Sequence, residues 1–220
     1  MRIDGVRNLE PPAIQRPLSN RRPACSRARQ DLISIGARVP VYISLLRGIN
    51  LGPHNRISMD QLKTSLVSLG FERVQTYIQS GNVIFSAALR SSSVVSDRIE
   101  KKIVVAFGLA ITVVSRTAEE MGNTIRSSPF LKEKRIDLSK LHVTFLSQAP
   151  VPSSLEKLAP LATAGDEFRP SGREIYLYCP NGYGRTKLSN NALEKALSVR
   201  ATTRNWRTVN QLYQIALGYR

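Results

Sequence analysis

The order of secondary-structure signals repeats once along this chain, and the repeat restricts its fold more than any other feature. Each half carries signals for a strand, a helix, two strands, a helix, a strand and a final helix, first from Val41 and again from Val143. The two halves share this order without evident sequence identity. Two matched sets of strands and helices predict an α+β chain built from two similar units.

The strands are predicted from short β-rich apolar runs bounded by turn residues. They cover residues 41–46, 74–78, 83–85 and 111–114 in the first half, and residues 143–146, 167–169, 175–179 and 201–203 in the second. A turn at residues 79–82 and a turn at Ser171-Gly172 join the middle strands of each half, so each half contains a hairpin.

The helices are predicted from caps and from apolar periodicity. Capping boxes at residues 58–61 and 117–120 indicate two helix starts. Apolar residues recur every four positions from Val95 to Phe107, and Gly108 follows them as a stop signal. The second-half helices are predicted to start at Ser153, at Asn190 or Asn191, and behind Thr203 as an N-cap.

The predicted order β-α-β-β-α-β is that of the ferredoxin-like split βαβ motif. We therefore predict two ferredoxin-like subdomains, each β-α-β-β-α-β-α, at residues 39–130 and 141–220, with a linker at residues 131–140. Residues 1–38 hold eight arginines and four prolines without apolar periodicity, which predicts a disordered leader. The leader lacks the apolar core of a secretory signal, and both an organelle transit peptide and a mis-called start remain open.

The net charge limits the partners that this chain would attract. The formal charge is +16, and the leader contributes only five of these charges, from eight arginines and three acids. Such a field favours nucleic acid or phosphorylated ligands, although a solvated basic surface explains the charge equally well. No apolar run is long enough to span a membrane, and two cysteines far apart fit a reducing compartment. We expect a cytoplasmic protein that does not bind membranes, with its oligomeric state open.

A first constellation of polar residues gathers in the predicted first subdomain. In a split βαβ unit, the end of the first strand and the turn between the second and third strands meet at one edge of the sheet. Arginine forks and amide groups there would grip a carboxylate or phosphate, whereas the alternative is that they only satisfy local turns. The residues of this candidate pocket are Arg47, Asn50, Asn55, Arg56, Gln79, Ser80 and Asn82.

A second constellation is predicted at the start of the last helix. Residues 181–220 contain seven basic residues and one acidic residue, and a helix N-terminus presents free N–H groups to anions. The sequence therefore predicts an anion-binding site here, with caps and solvated charges as the alternative. Its residues are Arg185, Thr186, Lys187, Thr203, Arg204, Asn205 and Arg207.

Three classes of function are compatible with these constellations. The first is a binding module for phosphate-bearing ligands, nucleic acid included, and Tyr176 and Tyr178 would be positioned to stack bases. The second is an enzyme that acts on a small anionic metabolite at the first constellation, for which no acid, base or nucleophile stands out. The third is a protein-interaction scaffold. The histidines and cysteines lack the spacing of a metal site, so no metal and no cofactor is expected.

Several motifs carry a resemblance to a known family. Residues 45–50 (LLRGIN), 76–85 (TYIQSGNVIF), 186–190 (TKLSN) and 201–206 (ATTRNW) occur in an order that resembles the bacterial family of domain of unknown function 1697. The resemblance covers roughly residues 41–215. It implies a cytosolic α+β fold of two ferredoxin-like subdomains and no particular activity. The chain departs from the family pattern at Pro53-His54, where a Gly-Lys pair is more usual, and at Arg207, where a smaller polar residue is common.

Overall fold

A computed structural model describes residues 39–51, 55–134 and 136–219 of the chain. These described residues form one compact unit. The predicted leader at residues 1–38 lies outside the described residues. Along the part that is described, no helix has the length and apolar character needed to cross a membrane.

The observed elements follow the predicted order in both halves. The first half contains β1 (Val41–Leu46), α1 (Met59–Val67), β2 (Glu72–Tyr77), β3 (Asn82–Ser86), α2 (Ser92–Phe107), β4 (Val113–Thr117) and α3 (Ala118–Arg126). The second half contains β5 (Leu141–Leu146), α4 (Pro152–Leu155), β6 (Glu167–Ser171), β7 (Glu174–Tyr178), α5 (Asn190–Leu197), β8 (Ala201–Asn205) and α6 (Trp206–Leu217). This order confirms the prediction of an α+β fold with two ferredoxin-like units.

Each half forms its own four-stranded antiparallel sheet. The strand order is β2-β3-β1-β4 in the first sheet and β6-β7-β5-β8 in the second, which is the same arrangement in both. The registers also agree, since Ile43 on β1 pairs with Arg116 and Val143 on β5 pairs with Arg204. The two halves are therefore structural repeats although their sequences differ.

Three helix starts differ from the sequence prediction, and one of them is α4, which begins at Pro152 behind Val151 and not at Ser153. The capping box at Thr117 and Glu120 forms as predicted, but the Ser58 side chain makes no capping hydrogen bond at the start of α1. Helix α6 is capped by Asn205, which accepts from the Thr208 amide, and not by Thr203. Strand β8 continues past Thr203 because its ladder with β5 runs to the pair between His142 and Asn205, which delays the helix by two residues.

Three apolar clusters hold the fold together. One buries a face of the first sheet together with residues of α1 and α2, and another buries a face of the second sheet together with residues of α5. The third joins both sheets with α3 and α6, and its members include Ile43, Val143 and Trp206. Burying apolar side chains of both halves in one cluster stabilises the pair as a unit.

Arg116 links the end of β4 to the second half. Its side chain is 1% exposed, and it donates to the Glu174 carboxylate (2.8 Å) and to the Leu146 carbonyl (2.8 Å). It also donates to the Arg173 carbonyl (3.1 Å) in the turn between β6 and β7. Burial lowers the pKa of Arg116, while Glu174 opposes that shift. A fully buried cation is stable here because a carboxylate and several carbonyls replace its lost hydration.

A second pair of charged contacts also crosses between the halves. Arg47, which follows β1, binds Glu194 on α5 at 2.5 Å, and Arg200, which precedes β8, binds Glu100 on α2 at 2.7 Å. Each of these glutamates also accepts a backbone N–H. Glu100 accepts from Val113, the first residue of β4, and Glu194 accepts from Ala201, the first residue of β8. These ion pairs reinforce the contact between the halves.

Candidate functional site

The loop after β1 and the turn between β2 and β3 meet at one edge of the first sheet. A surface cleft of about 460 Å³ lies between them, lined by Asn50, Arg56, Ile57, Ser58 and Gln79. We call it the loop cleft. Ligand pockets in proteins commonly fall between about 300 and 1,000 Å³, so this volume suits a small molecule. Three of its lining residues, Asn50, Arg56 and Gln79, belong to the first predicted constellation.

Asn50 fastens the two walls of the loop cleft together. Its amide nitrogen donates to the Gln79 carbonyl (3.0 Å) on the turn and to the Ile57 carbonyl (3.0 Å) on the loop. Its amide oxygen accepts from the Ile57 backbone N–H (2.9 Å). Asn50 adopts a positive φ of 55°, a conformation that asparagine tolerates better than most residues. The side chain of Asn50 therefore shapes the cleft, and Arg56, Ser58 and Gln79 supply its remaining polar side chains.

Helix α1 begins directly at the loop cleft. Ser58 is its N-cap residue and lines the cleft, and the Ser58 hydroxyl does not cap the helix. The first backbone N–H groups of a helix have no partner within the helix, and the helix dipole places partial positive charge beside them. Asp60 lies in this first turn but lines a separate cleft between α1 and α2. The loop cleft thus combines the side chain of the exposed residue Arg56 with hydroxyl and amide groups and with the positive end of a helix.

The other four members of the first constellation stabilise the loop, the turn or the contact between the halves. Asn55 donates to the Gly48 carbonyl (3.3 Å). Asn82 is fully buried and donates to Ser80 Oγ (3.0 Å) within the turn. Arg47 points away from the loop cleft and binds Asn191 and Glu194 on α5. The alternative considered from sequence, that some of these residues only satisfy local structure, therefore describes Asn55, Ser80 and Asn82 well.

Arg204 of the second constellation points into the first half of the chain. It donates to Asn82 Oδ1 (2.6 Å), to the Leu46 carbonyl (2.8 Å) and to the Ser80 carbonyl (3.0 Å). Burial lowers the pKa of Arg204 to about 10, which still leaves it a cation at neutral pH. Its guanidinium contacts four groups of the first half, the fourth being the Gly81 carbonyl (3.4 Å), so Arg204 supports the turn beside the loop cleft.

Other members of the second constellation also have internal partners. Thr186 donates to the Asp166 carboxylate (2.5 Å), and Thr203 donates to Asn190 Oδ1 (2.7 Å). Asn205 caps α6. The remaining members are exposed, and they are Arg185, Lys187 and Arg207. The predicted helix-start site is thus reduced to three exposed cations, and whether they bind an anion stays a prediction.

A smaller polar groove lies between the halves, where no constellation was predicted. Its volume is about 150 Å³, and both charged and neutral side chains line it, among them Arg116, Arg173 and Glu120. Arg116 pairs with Glu174, and Arg173 pairs with Glu120 at 2.5 Å. Because carboxylates offset both arginines, the groove offers less attraction to an anion than its arginines would suggest.

Burial keeps two side chains, Tyr176 and Cys179, from meeting a ligand. Tyr176 is 1% exposed, and its hydroxyl donates to the Thr124 carbonyl (2.6 Å), so its ring does not stack on a base. Cys179 is buried, and burial raises the pKa of its thiol to about 11, which suppresses the reactive thiolate at neutral pH. Among the residues that the structure describes, no group of three histidine, cysteine or acidic side chains is placed to hold a metal.

Comparisons with known proteins agree with this description. The family model described as "Protein of unknown function (DUF1697)" matches residues 39–176, which confirms the resemblance carried by the motifs. No curated protein matches the sequence. The structure of conserved bacterial protein SP0830 from Streptococcus pneumoniae is similar, with a TM-score of 0.66 and 22% identity, over 81% of this chain and 99% of that chain. At this identity the similarity establishes the fold alone.

Proposed function

The chain belongs to the DUF1697 family, and from that premise we propose that it binds a phosphate-bearing ligand at the loop cleft. The observation that carries the proposal is the composition of the cleft: Arg56, Ser58 and Gln79 surround about 460 Å³ of space at the start of α1. A guanidinium fork and a helix N-terminus favour a phosphate group over a neutral ligand, and the hydroxyl and amide groups can add hydrogen bonds to it.

Binding is a better description of this cleft than catalysis. The described side chains that line it are two amides, a guanidinium, a hydroxyl and one aliphatic chain. Such groups hold and orient an anion, but none of them exchanges a proton readily at neutral pH, as a general acid or base must. An enzyme acting on a small anionic metabolite remains the alternative function for the same cleft, and it would need a proton-transfer group from the ligand or from water.

The proposal is tested by titrating the protein with inorganic pyrophosphate and with nucleoside triphosphates in a calorimeter, at low and at near-physiological salt. We expect binding that weakens as salt rises, and about a tenfold loss of affinity in Arg56→Ala, the cost of roughly one charge-assisted hydrogen bond. Arg98→Ala is the matched control, since it removes the same charge from the exposed face of α2. Equal losses in both variants would contradict a specific site.

A labelled single-stranded oligonucleotide separates the loop cleft from the second constellation. If the net charge of +16 drives binding through the helix start, Lys187→Ala and Arg207→Ala should weaken oligonucleotide binding and lower its salt dependence, while Arg56→Ala has little effect. That outcome would replace the loop cleft with the surface of Arg185, Lys187 and Arg207. If Arg56→Ala alone weakens binding of both probes, the loop cleft is the phosphate site.

A further inference from the structure

The wall of the loop cleft that contains Gln79 is held in place from the second half of the chain. Arg204 Nη2 donates to the Ser80 carbonyl (3.0 Å) and to the Leu46 carbonyl (2.8 Å). Its Nε donates to Asn82 Oδ1 (2.6 Å). One guanidinium therefore ties the turn between β2 and β3 to the end of β1, and the loop that forms the opposite wall leaves β1 at this point.

The hydrogen bonds continue from the turn to the cleft itself. Asn82 Nδ2 donates to Ser80 Oγ (3.0 Å), which closes the turn on its buried side. On the other side the Gln79 carbonyl accepts from Asn50 Nδ2 (3.0 Å), and Asn50 Oδ1 accepts from the Ile57 N–H (2.9 Å). The lining residues Asn50, Ile57 and Gln79 are thus connected to Arg204 through these hydrogen bonds and through the peptide bond between Gln79 and Ser80.

The charge of Arg204 and the charge of Arg116, its counterpart in the other half, have different surroundings. Arg116 occupies the equivalent position on β4 and is paired with the Glu174 carboxylate. Where Arg116 meets Glu174, Arg204 meets the neutral amide of Asn82. Throughout the described residues, Arg204 makes no ion pair. Its positive charge behind the turn is consequently available to attract an anion in the neighbouring cleft.

We infer that Arg204 is a positioning residue for the loop cleft, where it fixes the turn that carries Gln79 and supplies an uncompensated positive charge behind it. This inference rests on the proposed function, since it concerns the affinity of the same cleft. It means that the second half of the chain tunes a binding site formed by the first half. The two arginines, which look alike in the fold, then differ in role: Arg116 joins the halves, and Arg204 also supports a site.

The structure offers a matched set of variants for this inference. Arg204→Met removes the hydrogen bonds and the charge, and Arg204→Lys keeps the charge but loses the fork. Arg116→Met and Arg116→Lys make the same changes on the side remote from the cleft. Asn82→Asp leaves the fork of Arg204 in place but gives it a carboxylate partner, as Glu174 does for Arg116. Pyrophosphate affinity is measured by calorimetry, and amide hydrogen exchange is followed over residues 78–82.

We expect Arg204→Met to lower pyrophosphate affinity about tenfold, because binding must then order a loosened turn at a cost in free energy. We also expect Arg204→Met to reduce the protection of residues 78–82 against amide hydrogen exchange. We expect Arg116→Met to change affinity by less than about twofold, because the network it holds does not reach the cleft. Asn82→Asp should weaken pyrophosphate binding because a carboxylate offsets the charge of Arg204, and because the donor to Ser80 Oγ and to the Tyr77 carbonyl is lost. If Arg204→Met does not fold, the pyrophosphate affinities of Arg204→Lys and Asn82→Asp are compared with that of Arg116→Lys instead.

Two failures are distinguishable. A wild-type protein that binds neither pyrophosphate nor a nucleoside triphosphate overturns the proposed function, and the claim about affinity falls with it. A wild-type protein that binds, while the Arg204 and Arg116 variants lose equal affinity or none, overturns the role of Arg204 and leaves the loop cleft standing. Unchanged exchange protection of residues 78–82 in Arg204→Met would likewise show that Arg204 does not hold the turn.

Discussion

Arg116 and Arg204 occupy equivalent positions in the two sheets, and each reaches across to the other half of the chain. Arg116 donates to the carbonyl of Leu146 at the end of β5, and Arg204 donates to the carbonyl of Leu46 at the end of β1, both at 2.8 Å. Each also donates to the carbonyl of the residue before it, at 2.9 Å. The repeat of the fold thus extends to individual hydrogen bonds.

Removing the Arg116 side chain should destabilise the whole unit. Arg116→Met leaves the Glu174 carboxylate without its cation and the Leu146 carbonyl without its donor, in a position that is 1% exposed. We expect the free energy of unfolding to fall by about 3 kcal/mol, the usual cost of breaking a buried ion pair on one side. Urea denaturation followed by circular dichroism measures this loss.

The control for Arg116 is Arg126→Met on the exposed end of α3. Within the described residues Arg126 donates to Asn123 alone, so its replacement should change stability by no more than about 0.5 kcal/mol. Similar losses in the two variants would mean that the reciprocal contacts are incidental to stability.

The turns of the two halves should respond differently to the same substitution. Gly81 has a φ of +76°, and a Cβ there would lie 2.8 Å from Leu46 Cβ and from Ile49 Cγ1. We expect Gly81→Ala to cost about 3 kcal/mol, from left-handed strain and from overlap with buried side chains. Gly172 in the second turn has a φ of +58° with nothing within 4 Å of its Cβ position, so Gly172→Ala should cost only about 1 kcal/mol.

Thermal unfolding, checked by urea denaturation, compares the loss of stability in Gly81→Ala with that in Gly172→Ala. An equal cost would mean that the close approach between Gly81 and Ile49 relaxes without penalty. A larger cost in Gly172→Ala would show that the second turn has the tighter surroundings.

The order of the elements was predictable because its signals are local. The capping box at Thr117 and Glu120 and the four-residue spacing from Val95 to Phe107 act within one helix, and both predicted their helices correctly. The meeting of the loop after β1 with the turn after β2 followed from topology alone, and the contact between Asn50 and Gln79 bears it out. Local pattern and topology together therefore located the loop cleft.

The role of Arg204 was not predictable in the same way. Its acceptors include the carbonyls of Leu46 and Ser80, which any residue would provide, so the sequence carries no trace of the pairing. An arginine beside a helix start also suits an anion site, which is the role that the sequence predicts for Arg204. One signal was available: in both halves an arginine directly precedes the N-cap residue, as Arg116 precedes Thr117 and Arg204 precedes Asn205.

Acidification should destabilise the protein through His142. Burial lowers the pKa of this histidine, and its ring stacks on Tyr183 at 5.0 Å between centroids. The unfolded chain then binds a proton near pH 6.5 while the folded protein does not, so stability is lost as the pH falls from 7 toward the lower folded pKa. Urea denaturation at pH 7, 6 and 5 should show the decline, and His142→Phe should flatten it while keeping the stacked ring. A profile that is as steep in His142→Phe would assign the decline to other groups.

Relieving the backbone at Ile78 should stabilise the protein. Ile78 lies between β2 and the turn that borders the loop cleft, with a φ of +50° and a side chain that is 51% exposed. A β-branched residue is strained in this left-handed conformation, and strained positions cluster at binding sites. Ile78→Asn should raise the free energy of unfolding by about 1 kcal/mol, since asparagine tolerates the conformation and little apolar burial is lost. Ile78→Val keeps the branched carbon and should gain nothing, so a gain in Ile78→Val equal to that in Ile78→Asn would show that backbone strain is not its cause.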